Sequence, residues 1–230
     1  MQTSATGNPG EANVRQRPFW NAGALFFTDA KGNNYRCSAQ FVGSNKTLLT
    51  AAHCLRDSKT GEWYKNFKFV QAYKNGGGST SFTTTCQTVK SNWVTGRERI
   101  NFSKDYGFLV TKGKSDAGWM GFKTKIPYSV LTAIGYPINY GSGRVLQRVS
   151  GTVGEVTSTL VRLDNNPMTS GSSGGAWIAE SNHNNTSGNY VVGLNSFGLT
   201  ETPTKVYSPY FDSHFYSLFI HARDTCGKYN

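Results

Sequence analysis

Two short segments carry residue types that could perform acyl transfer. The first, TAAHC at 50–54, ends an apolar stretch on a histidine, His53, that directly precedes a cysteine. The second, MTSGSSGGAW at 168–177, sets two serines among glycines ahead of a tryptophan. A glycine–serine run is either a flexible linker or a tight turn that presents a nucleophile. A nucleophile needs a base, a group that orients the base, and donors for an oxyanion. A lone histidine is more often structural, so the elements around these segments must decide whether they can meet.

Those elements read as short β-strands spaced by turns. ALFFT (24–28) precedes the turn DAKGNN, and CSAQFV (37–42) leads through GSNK to TLLT (47–50). FKFVQAY (67–73) stops at NGGG, and SFTTTCQTV (81–89) and YGFLVT (106–111) follow. The second half repeats the style in SVLTAIGY (129–136), RVLQRVSGTVGEV (144–156), LVRL (160–163), GAWIA ending at Ala179, and YVVGLNSF (190–197). This spacing predicts an all-β sandwich or barrel. One segment differs. SPYFDSHFYSLFIHA (208–222) predicts a terminal helix with Ser208 as N-cap and Pro209 at its first position. Phe211, Phe215, Leu218, Phe219 and Ala222 share one face and form its core stripe.

Bulk properties narrow the class. The 230 residues suit one large all-β unit or two small domains. No run of about eighteen apolar residues is present, which argues against a membrane span. Residues 1–17 lack the apolar segment of a signal peptide, so a secreted form would already have lost its signal. The net charge is +11, but lysines and arginines are scattered and never dense, which argues against a nucleic-acid partner. A solvated basic surface and attraction of acidic substrates remain as readings of that charge. Cys37, Cys54, Cys86 and Cys226 make an even count without a CxxC pair, favouring two disulfides over a zinc site. Sequons at Asn45, Asn101, Asn184 and Asn185 agree with an extracellular protein.

Together, TAAHC and GSSGG resemble the histidine and serine signatures of the chymotrypsin/trypsin-like serine endopeptidases. The second matches Gly-Asp-Ser-Gly-Gly with one change, Ser172 in place of the aspartate. The resemblance runs from about Phe19 to the terminal helix, and it brings an order of His, Asp and Ser along the chain. It implies two six-stranded antiparallel Greek-key β-barrels packed together, with a C-terminal α-helix. The implied division is an N-terminal arm or pro-segment remnant (1–17), a first barrel with His53 and Asp105 (18–120), a second with Ser173 (121–207), and a helix and tail (208–230). Ser173 is implied as nucleophile and His53 as base, with backbone N–H groups of Gly171 and Ser173 as the oxyanion hole. Asp105, in KDYGFLV, resembles the family's aspartate ahead of a short hydrophobic run. Asp57 follows His53 too closely, and Asp164 lies in the turn-like DNNP.

The same resemblance pairs Cys37 with Cys54 beside the histidine, and Cys86 with Cys226 follows by subtraction. GLNSFG (193–198) resembles the strand that pairs with substrate backbone, making Ser196, Phe197 and Gly198 substrate-facing candidates. Met168, Thr169 and Ser170 would form a pocket wall, and TPTKVYS (202–208) its floor, with Lys205 where the family usually has glycine. The lysine favours an acidic P1 side chain, and an aromatic or aliphatic P1 stays open beside it. AIGYP (133–137) resembles bacterial glutamyl-endopeptidase-like members, which usually carry a histidine where this chain has Asn195. Ser172 and the missing Ile-Val-Gly-Gly near Phe19 imply an oxyanion loop built without an ammonium–aspartate switch. The expectation is a secreted, monomeric serine endopeptidase acting on protein or peptide substrates without metal or cofactor. A catalytically inactive relative binding polyanions, and an esterase on the same triad, are the alternatives.

Overall fold

The computed structural model describes residues 7–97, 100–184 and 186–226. Asn185, and the ends of the proposed arm and tail, lie outside them. After a two-residue strand β1 (Gly10–Glu11), six strands close the first barrel. They are β2 (Ala22–Thr28), β3 (Asn34–Phe41), β4 (Thr47–Thr50), β5 (Lys65–Gln71), β6 (Thr80–Val89) and β7 (Gly107–Thr111), hydrogen-bonded in the order β2-β3-β4-β7-β6-β5 with β5 returning to β2. Closure removes every edge from this unit, and Leu25, Phe41, Leu48, Phe69 and Leu109 fill its interior without solvent exposure.

The second unit is a curled antiparallel sheet. Its strands are β8 (Val130–Gly135), β9 (Gln147–Val156), β10 (Leu160–Asp164), β11 (Ala176–Ala179), β12 (Tyr190–Leu194), β13 (Phe197–Leu199) and β14 (Thr202–Pro209). The path runs β12-β11-β8-β9-β10-β14-β13, with β1 paired to β9 through Gly10–Arg148 and Glu11–Gln147. No backbone ladder joins its two ends among the described residues. The hydroxyl of Ser208 on β14 instead accepts the Leu194 N–H at 2.9 Å, and Ser196 N–H reaches Tyr207 O at 3.0 Å. A side chain thus completes the curl where the strand breaks. The predicted strand 190–197 is split at Asn195 and Ser196, whose side chains turn inward to polar partners.

The terminal helix α1 spans Ser213–Asp224, not from Ser208 as expected. Ser208 and Pro209 extend β14 instead, opposite Val161 and Leu160 of β10. The cap is Asp212, whose Oδ1 accepts the Phe215 N–H at 3.0 Å. Ladder pairing and the bond from Leu194 claim the Ser-Pro pair, and a stronger Asx cap lies four residues on. The apolar stripe is as read, with Phe211, Phe215, Leu218, Phe219 and Ala222 all buried. Phe211 precedes the helix and stacks on Phe215 at 3.8 Å. Phe215 and Phe219 pack on Phe108 of the first barrel and on Phe122, so the helix clamps the crossing between the two units.

Candidate active site

His53 sits in a single tight turn, Ala52–Cys54, directly after β4. The disulfide Cys37–Cys54 staples that turn to β3, with the two Cα atoms 6.3 Å apart. Asp105 lies in the approach to β7, the strand paired with β4, and is fully buried. Its Oδ2 is 2.8 Å from His53 Nδ1, and its Oδ1 accepts the His53 backbone N–H at 2.9 Å. One carboxylate therefore fixes both the ring and the peptide of a residue 52 positions away. Ser196 donates its hydroxyl to the same Oδ2. Burial alone would raise the carboxyl pKa. The charge and hydrogen bond of His53, with the Ser196 and backbone donors, outweigh it and hold Asp105 below the ordinary carboxylate value. At His53 burial works against the charged ring, and the Asp105 charge and hydrogen bond overcome it, so its pKa is raised.

The serine segment lies across the domain junction. Ser173 O accepts the Ser38 N–H of β3 at 2.8 Å, so the first barrel anchors the loop of the second. His53, Gly171 and Ser173 line one cleft, with the Cys37–Cys54 bridge beside them. The Ser173 hydroxyl makes no hydrogen bond to the ring; such contacts often tighten only with substrate present. Gly171 has φ +92°, and a Cβ there would strike Tyr136 O, so only glycine fits. Ser170 O accepts Ile138 N–H at 2.8 Å. In a trans peptide this directs the Gly171 N–H away, toward the opposite side. Neither it nor the Ser173 N–H has a hydrogen-bond acceptor among the described residues. Both can donate to an acceptor brought in from outside the chain.

Ser38 Oγ organises this loop. It donates to Gly171 O at 2.8 Å and accepts Tyr136 N–H at 2.9 Å. Gln40, also buried, donates to Leu49 O and Gly174 O and accepts Ala176 N–H, each at 3.0 Å. Gly174 has φ +80°, and a Cβ would meet Ser38 O at 2.5 Å. The loop is thus shaped by polar side chains of β3. Ser172 Oγ donates to its own loop at Thr169 O, 2.7 Å away. Sequence reading missed Ser38 and Gln40. The available signal was two polar residues at i and i+2 within CSAQFV, facing one way in an otherwise apolar strand.

A cavity of about 480 Å³ opens beside Ser173. Met168, Thr169, Ser170, Ser196, Phe197, Gly198 and Lys205, all expected there, line it, and so do Asn195, Thr200 and Pro203. Ser196 departs from the expectation in one respect: its hydroxyl serves Asp105 and not the substrate side. The Asn195 amide is fully engaged, donating to Ile134 O and Ser172 O and accepting from Trp177 Nε1 and Asn166 Nδ2. Phe197 is stacked between Phe102, at 4.0 Å, and Tyr207, at 4.9 Å, and forms part of the cavity wall. Cys37, His53 and Cys54 bring ligand-type atoms within 4.8 Å, but both sulfurs are spent in the disulfide and offer no thiolate to a metal.

A closed barrel joined to a curled sheet, with these groups at the junction, defines a chymotrypsin-like hydrolase. A trypsin-like peptidase domain model matches residues 37–188, and the chain belongs to that family. It is a serine endopeptidase of chymotrypsin-like fold. Among solved structures it is similar to a thermostable serine protease, AL20, from an extremophilic microorganism, with 28% identity and a TM-score of 0.76 over 90% of this chain and 98% of that one. It is similar to the protease Anisep from Arthrobacter nicotinovorans, with 27% identity and a TM-score of 0.77 over 94% and 99%. A Glu endopeptidase, at 16% identity and a TM-score of 0.76 over 97% and 98%, shares the fold. Among curated protein sequences none matches the chain.

Proposed function

We propose that the chain is a secreted endopeptidase that works through an acyl-enzyme on Ser173. His53 takes the Ser173 proton as Oγ attacks the scissile carbonyl, and the tetrahedral oxyanion rests on the Gly171 and Ser173 N–H groups. The imidazolium then gives its proton to the leaving amine. A water molecule, deprotonated by the same ring, releases the acid product and restores the hydroxyl. Asp105 holds the tautomer and stabilises the imidazolium. The observation that carries this reading is the pairing of His53 Nδ1 with a fully buried Asp105 on the cleft that Ser173 lines. Every step uses the chain's own groups. Two disulfides fit an oxidising, extracellular compartment.

Lys205 is the only charged residue lining the 480 Å³ cavity, and no carboxylate lines it among the described residues. With the hydroxyls of Thr169, Ser170 and Thr200 it favours a glutamate or aspartate side chain at P1. The test is a peptide library cleaved by wild type and by Lys205→Gln. The reading predicts cleavage after Glu in preference to Gln, with that preference falling about tenfold or more in the variant, as loss of one charge-assisted hydrogen bond implies. Strict cleavage after Arg, or an unchanged preference in the variant, contradicts acidic P1. Absence of any cleavage that Ser173→Ala abolishes contradicts the peptidase mechanism itself.

A further inference from the structure

Three hollows meet at a side chain that the cleft does not use, the half-buried indole of Trp20. Their volumes are about 250, 370 and 700 Å³. Trp20 is held through its backbone: its N–H reaches Gln16 O at 3.1 Å, and its carbonyl accepts Gln71 Nε2 at 2.8 Å. The Arg17 guanidinium lies 5.3 Å from the ring centroid. Arg15 and Arg17 each line two of the hollows, and Lys74, ion-paired to Glu11, lines the largest. No aspartate or glutamate lines any of them among the described residues.

Two further features narrow the ligand. A second indole, Trp119, is 51% exposed and lines the smallest hollow. Glycines contribute to the lining, with room at the side-chain position of Gly77 in the largest and of Gly118 in the smallest. Indole faces pack on the C–H face of a pyranose ring, and a glycine in the lining lets a flat ring lie against backbone polar groups. The side-chain amides of Asn75 and Asn184, also lining these hollows, form no hydrogen bond among the described residues and suit sugar hydroxyls. Arginines flanking the indoles suit a ring carboxylate. An acidic peptide would use the cations but leave the indoles and the glycines without a role. The chain's lysines and arginines are scattered and form no dense basic stripe, which argues against a nucleic-acid backbone.

We propose that this Trp20-centred face binds an anionic polysaccharide built of uronic acid rings, holding the enzyme on an acidic glycan surface while the cleft stays free. The site does not depend on the peptidase reading. The test is calorimetric titration of the full chain with hexagalacturonate, neutral cellohexaose and poly-D-glutamate, repeated with Trp119→Ala and with the double variant Arg15→Gln/Arg17→Gln. Thermal unfolding confirms that each variant is folded. The expected result is hexagalacturonate binding that weakens with added salt and falls about tenfold or more in each variant, with cellohexaose at least as much weaker. No hexagalacturonate binding to wild type, or binding unchanged in folded Trp119→Ala, overturns the proposal. Poly-D-glutamate binding as tightly, and responding only to the arginine variant, assigns the face to acidic peptides and overturns it too.

Discussion

At His53 two effects oppose each other: burial disfavours the imidazolium, and the carboxylate of Asp105 favours it and prevails. The neutral ring is the base in the proposed mechanism, so a raised pKa moves the loss of activity to higher pH. The kcat/KM profile should therefore show an acid limb with its midpoint above the ordinary imidazole value of about 6.5. Asp105→Asn removes the charge and favours the wrong tautomer. Its limb should shift to lower pH, and kcat should fall on the order of 10⁴-fold. Unchanged kcat in that variant would exclude Asp105 from the proposed role. His53 and Ser173 are legible in the sequence because TAAHC and GSSGG resemble the family's two signatures. The Ser196 contact to Asp105 is not, because it depends on a strand break that only the assembled junction imposes.

The elements around the cleft are held by polar side chains at close quarters. Ser38 ties β3, Tyr136 and Gly171 together through one hydroxyl. Ser38→Ala leaves a buried N–H and a carbonyl without that partner, which costs about 1–3 kcal/mol and frees the loop carrying the Gly171 donor. Thermal unfolding should register the stability loss. Burst kinetics should show slower acylation, up to the ~10²–10³-fold that loss of one oxyanion donor implies. Full acylation rate in a destabilised variant would mean that Ser38 supports the fold alone. Strand existence was readable from alternation and turn residues, and TLLT coincides with β4. The helix start was not, because Ser208 and Pro209 have cap chemistry yet lie opposite β10, a pairing between distant segments.

Across the whole molecule, Cys86–Cys226 joins β6 to the end of α1 over a separation of 140 residues, with Cα atoms 5.8 Å apart. A closure of that length restricts the unfolded chain strongly. The double variant Cys86→Ser/Cys226→Ser should lose about 2–5 kcal/mol of stability by denaturant titration, while kcat at ambient temperature stays within a few-fold. A stability loss below this range would mean that the apolar face of α1 holds the helix unaided. Two linked β units were implied by the resemblance; the strand pattern alone left one unit or two open. The side-chain closure of the second, through Ser208, was not readable, since nothing local marks a serine that replaces a ladder. The central claim is that this fold gathers the His53 turn, the approach to β7 and the loop of Ser173 into one proton-relaying cleft. Labelling with a fluorophosphonate, mapped by mass spectrometry, tests it most directly. The account predicts a single adduct on Ser173 that forms in wild type and disappears in folded His53→Ala. Labelling elsewhere, or undiminished labelling of Ser173 without His53, would contradict it.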